Sequence, residues 1–346
     1  MAPDALTPND PRVKHEFIPI PGTDITYHCL VATPPSKNLR ATILLIHGFP
    51  DIAMGWRYQV PYLLSLNLRV VVPDMLGYGR TSAPEAREVY TYKNMCTHMA
   101  HIVKTIAPNQ KVLLGGHDWG GYTAWRLAMW YPELFLSVFS FAVHYTPPTR
   151  QLVTVDDLLK VLPSLAYQKQ LIAPDLEHAL GKDPAKIRHF LDALYNGQPS
   201  TEHNVAAVNQ GLDIPHLDTY GATPLMTAVM MDHFVAEYAR NGLKGPFNWY
   251  RVRDLNHQDE LVFLQPGQGK YTFKIPAMLV MADQDLAFPP GVADKQQRFF
   301  EKGLKQHLIK DCSHWIMIER PEEANKLIGE FVAMVLGEEK SDRSKL

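Results

Sequence analysis

Short apolar runs recur along the chain and alternate with longer segments in which apolar residues have a helical spacing. The runs lie in 40–50, 68–82, 111–118, 134–143 and 275–285. A continuous apolar run of this length, bounded by turn residues, predicts a strand that is buried on both faces of a parallel sheet. The pattern therefore predicts a sheet built mainly from these runs.

Segments with helical spacing separate several of the runs. Residues 90–106 and 121–132 lie between predicted strands, and 321–337 has the pattern of a closing amphipathic helix. Strands that alternate with helices are typical of βαβ units and of a mainly parallel sheet. The predicted fold class is α/β, with helices flanking a central sheet.

The alternation of strands and helices stops near residue 145. The segment 145–255 consists of helical patterns with Pro and Gly breaks. We expect it to be a helical insertion between a first core part, 1–144, and a second core part, 256–338. The charged residues 339–346 predict a flexible tail.

The chain ends in Ser344-Lys345-Leu346, a tripeptide that serves as a peroxisomal address. This ending makes a peroxisomal import receptor a candidate partner and predicts a peroxisomal location, or a cytoplasmic one if the address is not used. The first residues lack the apolar segment of a secretory signal, and we find no run of about 18 apolar residues. Neither secretion nor a membrane span is expected.

Charge and cysteine content exclude several classes of function. The 34 Lys and Arg residues nearly balance the 36 Asp and Glu residues, so the chain lacks the positive charge of a nucleic-acid binder. Cys29, Cys96 and Cys312 are far apart in sequence and predict neither a disulfide framework nor a zinc site. A small, uncharged molecule is the partner that this composition favours, and its Met-rich and aromatic insertion favours an apolar one.

The most specific motif is Gly116-His117-Asp118-Trp119-Gly120. Its spacing is that of a nucleophile elbow, a strained turn from strand to helix that exposes its central side chain. The central residue is commonly serine, but here it is Asp118. A carboxylate is suited to displacing a leaving group from a saturated carbon, which forms an alkyl ester of the enzyme.

A nucleophile of this kind needs a histidine that is oriented by an acid. In the order that the elbow implies, the acid and the histidine follow later strands. Asp285 follows the run "AMLVM" and His314 stands in "CSHWIM", with Asp283 as a competing acid. We favour Asp285 because it lies further past the end of the strand.

The turn "HGFP" at 47–50 ends an early predicted strand. Backbone N–H groups at such a turn can stabilise a negatively charged oxygen in a tetrahedral intermediate. We expect the N–H of Phe49 and the N–H of Trp119 to form this oxyanion hole.

The motifs "HGFP", "GHDWGG", "ADQD" and "SHW", in this order, resemble those of the epoxide hydrolases of the α/β-hydrolase fold, most closely the soluble epoxide hydrolase type. The resemblance implies that 145–255 is a lid over the active site. It also implies that two lid tyrosines bind the epoxide oxygen, here Tyr167 in "LAYQKQ" and Tyr250 in "GPFNWYR". No metal or organic cofactor is implied.

The function implied by this resemblance is the hydrolysis of an apolar epoxide to a vicinal diol, with water as the second substrate. Asp118 would form a covalent hydroxyalkyl ester, and water activated by His314 and Asp285 would hydrolyse it. The alternatives are a haloalkane dehalogenase, since Asp-Trp also occurs at the elbow of that family, and a non-catalytic binding protein on the same scaffold.

Overall fold

The computed structural model describes residues 3–36, 38–197, 211–265 and 270–337. Eight strands form one sheet in the order β1-β2-β4-β3-β5-β6-β7-β8. The strands are β1 Val13–Pro19, β2 Thr26–Ala32, β3 Ala41–Ile46, β4 Leu68–Pro73, β5 Val112–His117, β6 Phe135–Phe141, β7 Ala277–Ala282 and β8 Leu304–Ile309. The β1–β2 and β2–β4 pairs are antiparallel and the other pairs are parallel.

Twelve α-helices accompany this sheet in the described ranges, and none of them is long and apolar enough to cross a bilayer. They are α1 Gln59–Ser65, α2 Tyr92–Ile106, α3 Trp119–Trp130, α4 Val155–Val161, α5 Tyr167–Ile172, α6 Pro174–Leu180, α7 Pro184–Leu194, α8 Ala228–Asn241, α9 Lys244–Asn248, α10 Arg253–Glu260, α11 Ile316–Glu319 and α12 Pro321–Val335.

The apolar runs form the centre of the sheet, as predicted. All residues of β5 and β7 are buried, because helices cover both faces of the parallel part of a sheet. Three strands were not predicted from apolar runs. The edge strand β1 exposes five of its seven residues and the edge strand β8 exposes three of its six, and His28 interrupts the apolar residues of β2.

Helices α4 to α10 lie between β6 and β7 in sequence. Within the described ranges this segment adds no strand to the sheet. It contacts the core through the indole N–H of Trp249, which donates to Leu76 O at 3.0 Å, and through the ion pair between Arg80 and Glu237. The helical segment is therefore bonded directly to the loop that follows β4.

Glycines allow β3, β5 and α3 to approach closely at the elbow. A Cβ atom at Gly116 would lie 2.2 Å from the carbonyl oxygen of Gly120. A Cβ atom at Gly120 would lie 2.1 Å from the carbonyl oxygen of Ile46. These neighbours are backbone atoms, which cannot rotate away, so this contact between strand and helix requires residues without a side chain.

The glycine requirement predicts that Gly120→Ala destabilises the protein by about 1–3 kcal/mol or more, the usual cost of overpacking a core. The measurement is the midpoint of urea-induced unfolding. Gly291→Ala is the matched control, because a Cβ atom at Gly291 meets no atom within 4 Å. Equal midpoints for the two variants would contradict the close approach described for the elbow.

Candidate active site

Asp118 occupies the turn between β5 and α3 in a conformation that is rare for a residue with a side chain. Its φ is 52° and its ψ is −126°, and a positive φ costs free energy in any residue other than glycine. Two backbone hydrogen bonds hold the turn: Asp118 N–H donates to Phe141 O, and Tyr122 N–H donates to Asp118 O. The turn thereby fixes the carboxylate above the carboxyl end of the sheet.

Backbone amides surround the Asp118 carboxylate. Phe49 N–H donates to Asp118 Oδ1 at 2.9 Å, and the Trp119 amide also bonds the carboxylate. The two amides predicted for an oxyanion hole are thus brought to Asp118. Burial raises the pKa of Asp118, and the positive charge of His314 and these two amides offset part of the rise.

His314 lies between two carboxylates. Its Nε2 is 3.6 Å from Asp118 Oδ2, and its Nδ1 is 2.8 Å from Asp285 Oδ2. Burial lowers the pKa of His314, but Asp285 and then Asp118 outweigh burial and raise this pKa to about 9. The imidazole is oriented by Asp285 and presents its other nitrogen to Asp118.

The structure also distinguishes the two candidate acids. Asp285 is buried, and its Oδ1 accepts the N–H groups of Ala287 and Phe288 while its Oδ2 faces His314. Asp283 is exposed, and its Oδ1 accepts the Cys312 N–H at 3.3 Å. Asp285 is therefore the carboxylate that the structure places on the histidine.

The rings of Tyr167 and Tyr250 pack against each other close to Asp118. Their ring centroids are 6.4 Å apart, and the Tyr250 ring packs edge-on against Trp119 at 5.1 Å. Burial raises the pKa of both phenols above the usual range of tyrosine. Both hydroxyls are therefore protonated at neutral pH and able to donate hydrogen bonds.

Two cavities adjoin these side chains. The first, of about 410 Å³, is lined by Asp118, Tyr167 and His314 together with apolar residues such as Leu194 and Leu212. The second, of about 270 Å³, is lined by residues that include Trp119 and Tyr250; we call it the Trp119 cavity. The site thus has space for a ligand on both sides of the elbow.

Two further side chains at the site were not predicted from the sequence. His117 Nε2 lies 2.9 Å from the carbonyl oxygen of His314, which ties the histidine loop to β5. Asp51 is fully buried, and burial raises its pKa to about 7 although Arg57 offsets part of the rise. His117 lies within the motif "GHDWGG" and Asp51 directly follows "HGFP", and this position is a signal that was available in the sequence.

In the ranges that the structure describes, no group of three or more His, Cys, Asp or Glu side chains has the arrangement of a metal site. The groups that the structure brings together at the elbow are a carboxylate, an imidazole held by a second carboxylate, two phenols and two backbone amides. Groups of these kinds can act as a nucleophile, a base, two acids and an oxyanion hole.

Several known proteins are similar to this chain in sequence or in fold. The profile of a family described as alpha/beta hydrolase fold matches residues 41–321. Epoxide hydrolase srdG of Neurospora crassa is 45% identical over 343 residues, 97% of this chain and 100% of that protein. Bifunctional epoxide hydrolase 2 of Sus scrofa is 30% identical over 296 residues, 84% of this chain but 51% of that protein. A crystal structure of an epoxide hydrolase from Vigna radiata matches with a TM-score of 0.78 at 22% identity, covering 93% of this chain and 98% of that chain.

Because His314 lies between two carboxylates, we predict that its pKa falls when the charge of either carboxylate is removed. Asp118→Asn and Asp285→Asn should each lower the pKa of His314 from about 9, and Asp285→Asn should lower it more, because Asp285 raises it more strongly. The measurement is an NMR titration of the His314 ring. Asp283→Asn is the control, and an equal drop in this variant would contradict the arrangement.

Proposed function

Because the chain belongs to the epoxide hydrolases of the α/β-hydrolase fold, we propose that it hydrolyses an apolar epoxide to a vicinal diol through a covalent ester on Asp118. The observation that supports this proposal best is the position of the Asp118 carboxylate, which two backbone amides contact while His314 Nε2 lies 3.6 Å away. A carboxylate at this position is both a nucleophile and, once esterified, the target of an activated water.

In the first proposed step, an oxygen of Asp118 attacks one epoxide carbon and the bond from that carbon to the ring oxygen breaks. The electron pair of the broken bond goes to the ring oxygen. Tyr167 and Tyr250 donate hydrogen bonds to this oxygen, and one of them transfers its proton. The product is a hydroxyalkyl ester of Asp118.

In the second proposed step, His314 removes a proton from a water molecule that attacks the ester carbonyl of Asp118. The N–H groups of Phe49 and Trp119 stabilise the negative oxygen of the tetrahedral intermediate. The ester bond then breaks, and the diol oxygen takes the proton from His314. Asp118 leaves the intermediate as a carboxylic acid, and its proton returns through water to the tyrosinate that donated in the first step. Asp118 is then a carboxylate again.

The charge of Asp118 links the two proposed steps through the pKa of His314. Before the reaction, the charge of Asp118 contributes to the raised pKa of His314. Esterification neutralises Asp118 and removes that contribution, so the pKa of His314 falls. The histidine then loses its proton more readily and becomes a base at the stage when water must be activated.

We propose that the helical segment 145–255 acts as the lid, since it carries Tyr167 and Tyr250 to the site. The apolar residues that line the first cavity support an apolar substrate. Ser344-Lys345-Leu346 lie outside the described residues. We propose that they are a peroxisomal address, with an import receptor as partner, and that the enzyme has a role in detoxification. The comparisons give no support to a haloalkane dehalogenase.

The two-step scheme predicts that His314→Ala becomes alkylated on Asp118 and then stalls, because the water can no longer be activated. Intact-mass measurement after exposure to an aryl epoxide should show an increase equal to the whole epoxide mass, and peptide mapping should locate it on Asp118. Asp118→Ala should show no adduct and no turnover. An adduct formed only from a matched haloalkane would overturn the proposal in favour of a dehalogenase.

The phenol pair predicts that Tyr167→Phe and Tyr250→Phe each lower kcat by roughly tenfold to a hundredfold. Positioned proton donors contribute about 10²–10⁴-fold, and the tyrosine that remains in each variant keeps part of this contribution. The double variant should lose more than either single variant. Tyr238→Phe is the matched control, because Tyr238 is also a buried tyrosine but lines neither cavity. A single variant with the kcat of the wild type would remove that tyrosine from the mechanism.

A further inference from the structure

His47 is a buried polar side chain to which the proposed reaction gives no role. It follows β3 and stands two residues before Phe49, whose amide contacts Asp118. Its ring is fully buried and packs edge-on against the ring of Tyr78, with the ring centroids 4.9 Å apart. A buried imidazole has no bonds to water, so its two nitrogens need partners within the protein. These partners indicate what the ring does.

The two nitrogens of His47 have different partners. Met75 N–H donates to Nε2 at 2.9 Å, and Nδ1 lies 2.9 Å from the carbonyl oxygen of Gly48. Because Nε2 accepts a hydrogen bond, we assign the proton of the neutral ring to Nδ1, which donates it to Gly48 O. Burial lowers the pKa of His47 to about 4, so the ring is neutral at neutral pH. Its partners thus select one tautomer.

The oxygen that accepts from His47 belongs to the same peptide group as the N–H of Phe49. This peptide is trans, so its C=O and its N–H point in opposite directions. Gly48 O accepts from His47 on one side, and Phe49 N–H donates to Asp118 Oδ1 at 2.9 Å on the other. The hydrogen bond from His47 therefore favours the orientation that directs the Phe49 N–H at the carboxylate.

The ring also ties this peptide to a second loop. Gly48 O accepts another hydrogen bond from Asp51 N–H at 3.0 Å, but that bond stays within the same turn. The bond from Met75 to His47 joins the turn to the loop that follows β4. A chain of hydrogen bonds thus runs from Met75 through His47 and the peptide to Asp118. Bonds in such a chain polarise one another, so His47 makes the Phe49 N–H a stronger donor.

We propose that His47 is a positioning residue for the oxyanion hole, which orients and polarises the peptide whose N–H contacts Asp118. Both described hydrogen bonds of the ring go to backbone groups, so His47 acts through the peptide and not on the reacting atoms. This inference rests on the proposed function, because the oxyanion forms only if water attacks an ester of Asp118.

The proposal assigns His47 to one of the two steps. In the first step Asp118 loses negative charge as it bonds to the epoxide carbon, so a stronger amide donor gives no advantage. In the second step the attack of water places a full negative charge on the oxygen that the Phe49 N–H contacts. His47 should therefore accelerate the hydrolysis of the ester and not its formation.

Two substitutions separate the two hydrogen bonds of His47. In His47→Asn the amide nitrogen is as many bonds from Cβ as Nδ1, so it can still donate to Gly48 O, but the acceptor for Met75 is lost. In His47→Gln the amide oxygen is as many bonds from Cβ as Nε2, so it can still accept from Met75, but the donor to Gly48 O is lost. Orienting the peptide and holding Met75 therefore predict opposite results for the two variants.

The first test is single-turnover mass spectrometry, which measures how fast an aryl epoxide forms the ester on Asp118 and how fast this ester disappears. His47→Gln should slow ester hydrolysis by roughly tenfold to a hundredfold, since loss of a whole oxyanion donor costs about 10²–10³-fold, and should leave ester formation unchanged. His47→Asn should retain most of the hydrolysis rate. These rate constants do not depend on the fraction of folded protein.

His98→Gln is the matched control for this test. His98 is also a buried histidine with a side-chain hydrogen bond, to the hydroxyl of Tyr27 at 3.1 Å, but it lines neither cavity. Both rates should equal those of the wild type in this variant. A slower hydrolysis in His98→Gln, equal to that in His47→Gln, would show that loss of any buried histidine has this effect and would overturn the inference.

A second test needs no turnover. Gly48-Phe49 is the sole Gly-Phe pair of the sequence, so glycine labelled with ¹³C at the carbonyl and phenylalanine labelled with ¹⁵N give a single linked amide resonance in NMR. The amide proton of Phe49 should shift upfield in His47→Gln, because its hydrogen bond weakens, and should stay near its wild-type position in His47→Asn.

Three results would each overturn the inference: wild-type ester hydrolysis in His47→Gln, an equal loss of hydrolysis in His47→Gln and His47→Asn, or an unmoved Phe49 resonance in His47→Gln. Failure of the proposed function is a distinct outcome, because the wild type would then form no ester. The Phe49 resonance would still show in that case whether His47 orients the peptide.

Discussion

The burial of one carboxylate at a tight turn is the constraint on which the rest of the site depends. Asp118 is held at a positive φ between β5 and α3, where removal from water disfavours its charge. The protein compensates with the amides of Phe49 and Trp119 and with the cationic ring of His314. Each of these groups comes from a separate loop at the same edge of the sheet. The three loops therefore have to meet at Asp118 if its charged form is to be stabilised.

The residues that hold His314 in place are restrained in turn. Asp285 is itself buried and accepts two backbone N–H groups on the oxygen that does not face the histidine. His117 contacts the carbonyl oxygen of His314. The imidazole is thus fixed through a side chain on one side and through its own backbone on the other. A histidine restrained in this way keeps its orientation when the charge of Asp118 changes, which a two-step reaction requires.

The sequence predicted the centre of the fold better than its edges. The runs that form β3 to β7 are mostly apolar, because both faces of those strands are buried. The strands β1 and β8 pair on one side only and tolerate polar residues. The elbow and the histidine stood out because their motifs are local. The contacts of the helical segment with the core did not stand out, since they join residues that are far apart in sequence, such as Arg80 with Glu237 and Trp249 with Leu76, and no local pattern reveals them.

The contact between His314 and the second oxygen of Asp118 has a consequence for the origin of the atoms in the product. In the proposed cycle, water is directed at the carbonyl carbon of Asp118 and not at the carbon of the substrate. The oxygen that enters the diol is therefore one that the protein already held, and an oxygen from the solvent takes its place in the side chain. Asp118 thus gives up one carboxylate oxygen in each proposed turnover and regains one from water. After a turnover, the carboxylate of Asp118 contains an oxygen atom that came from the solvent.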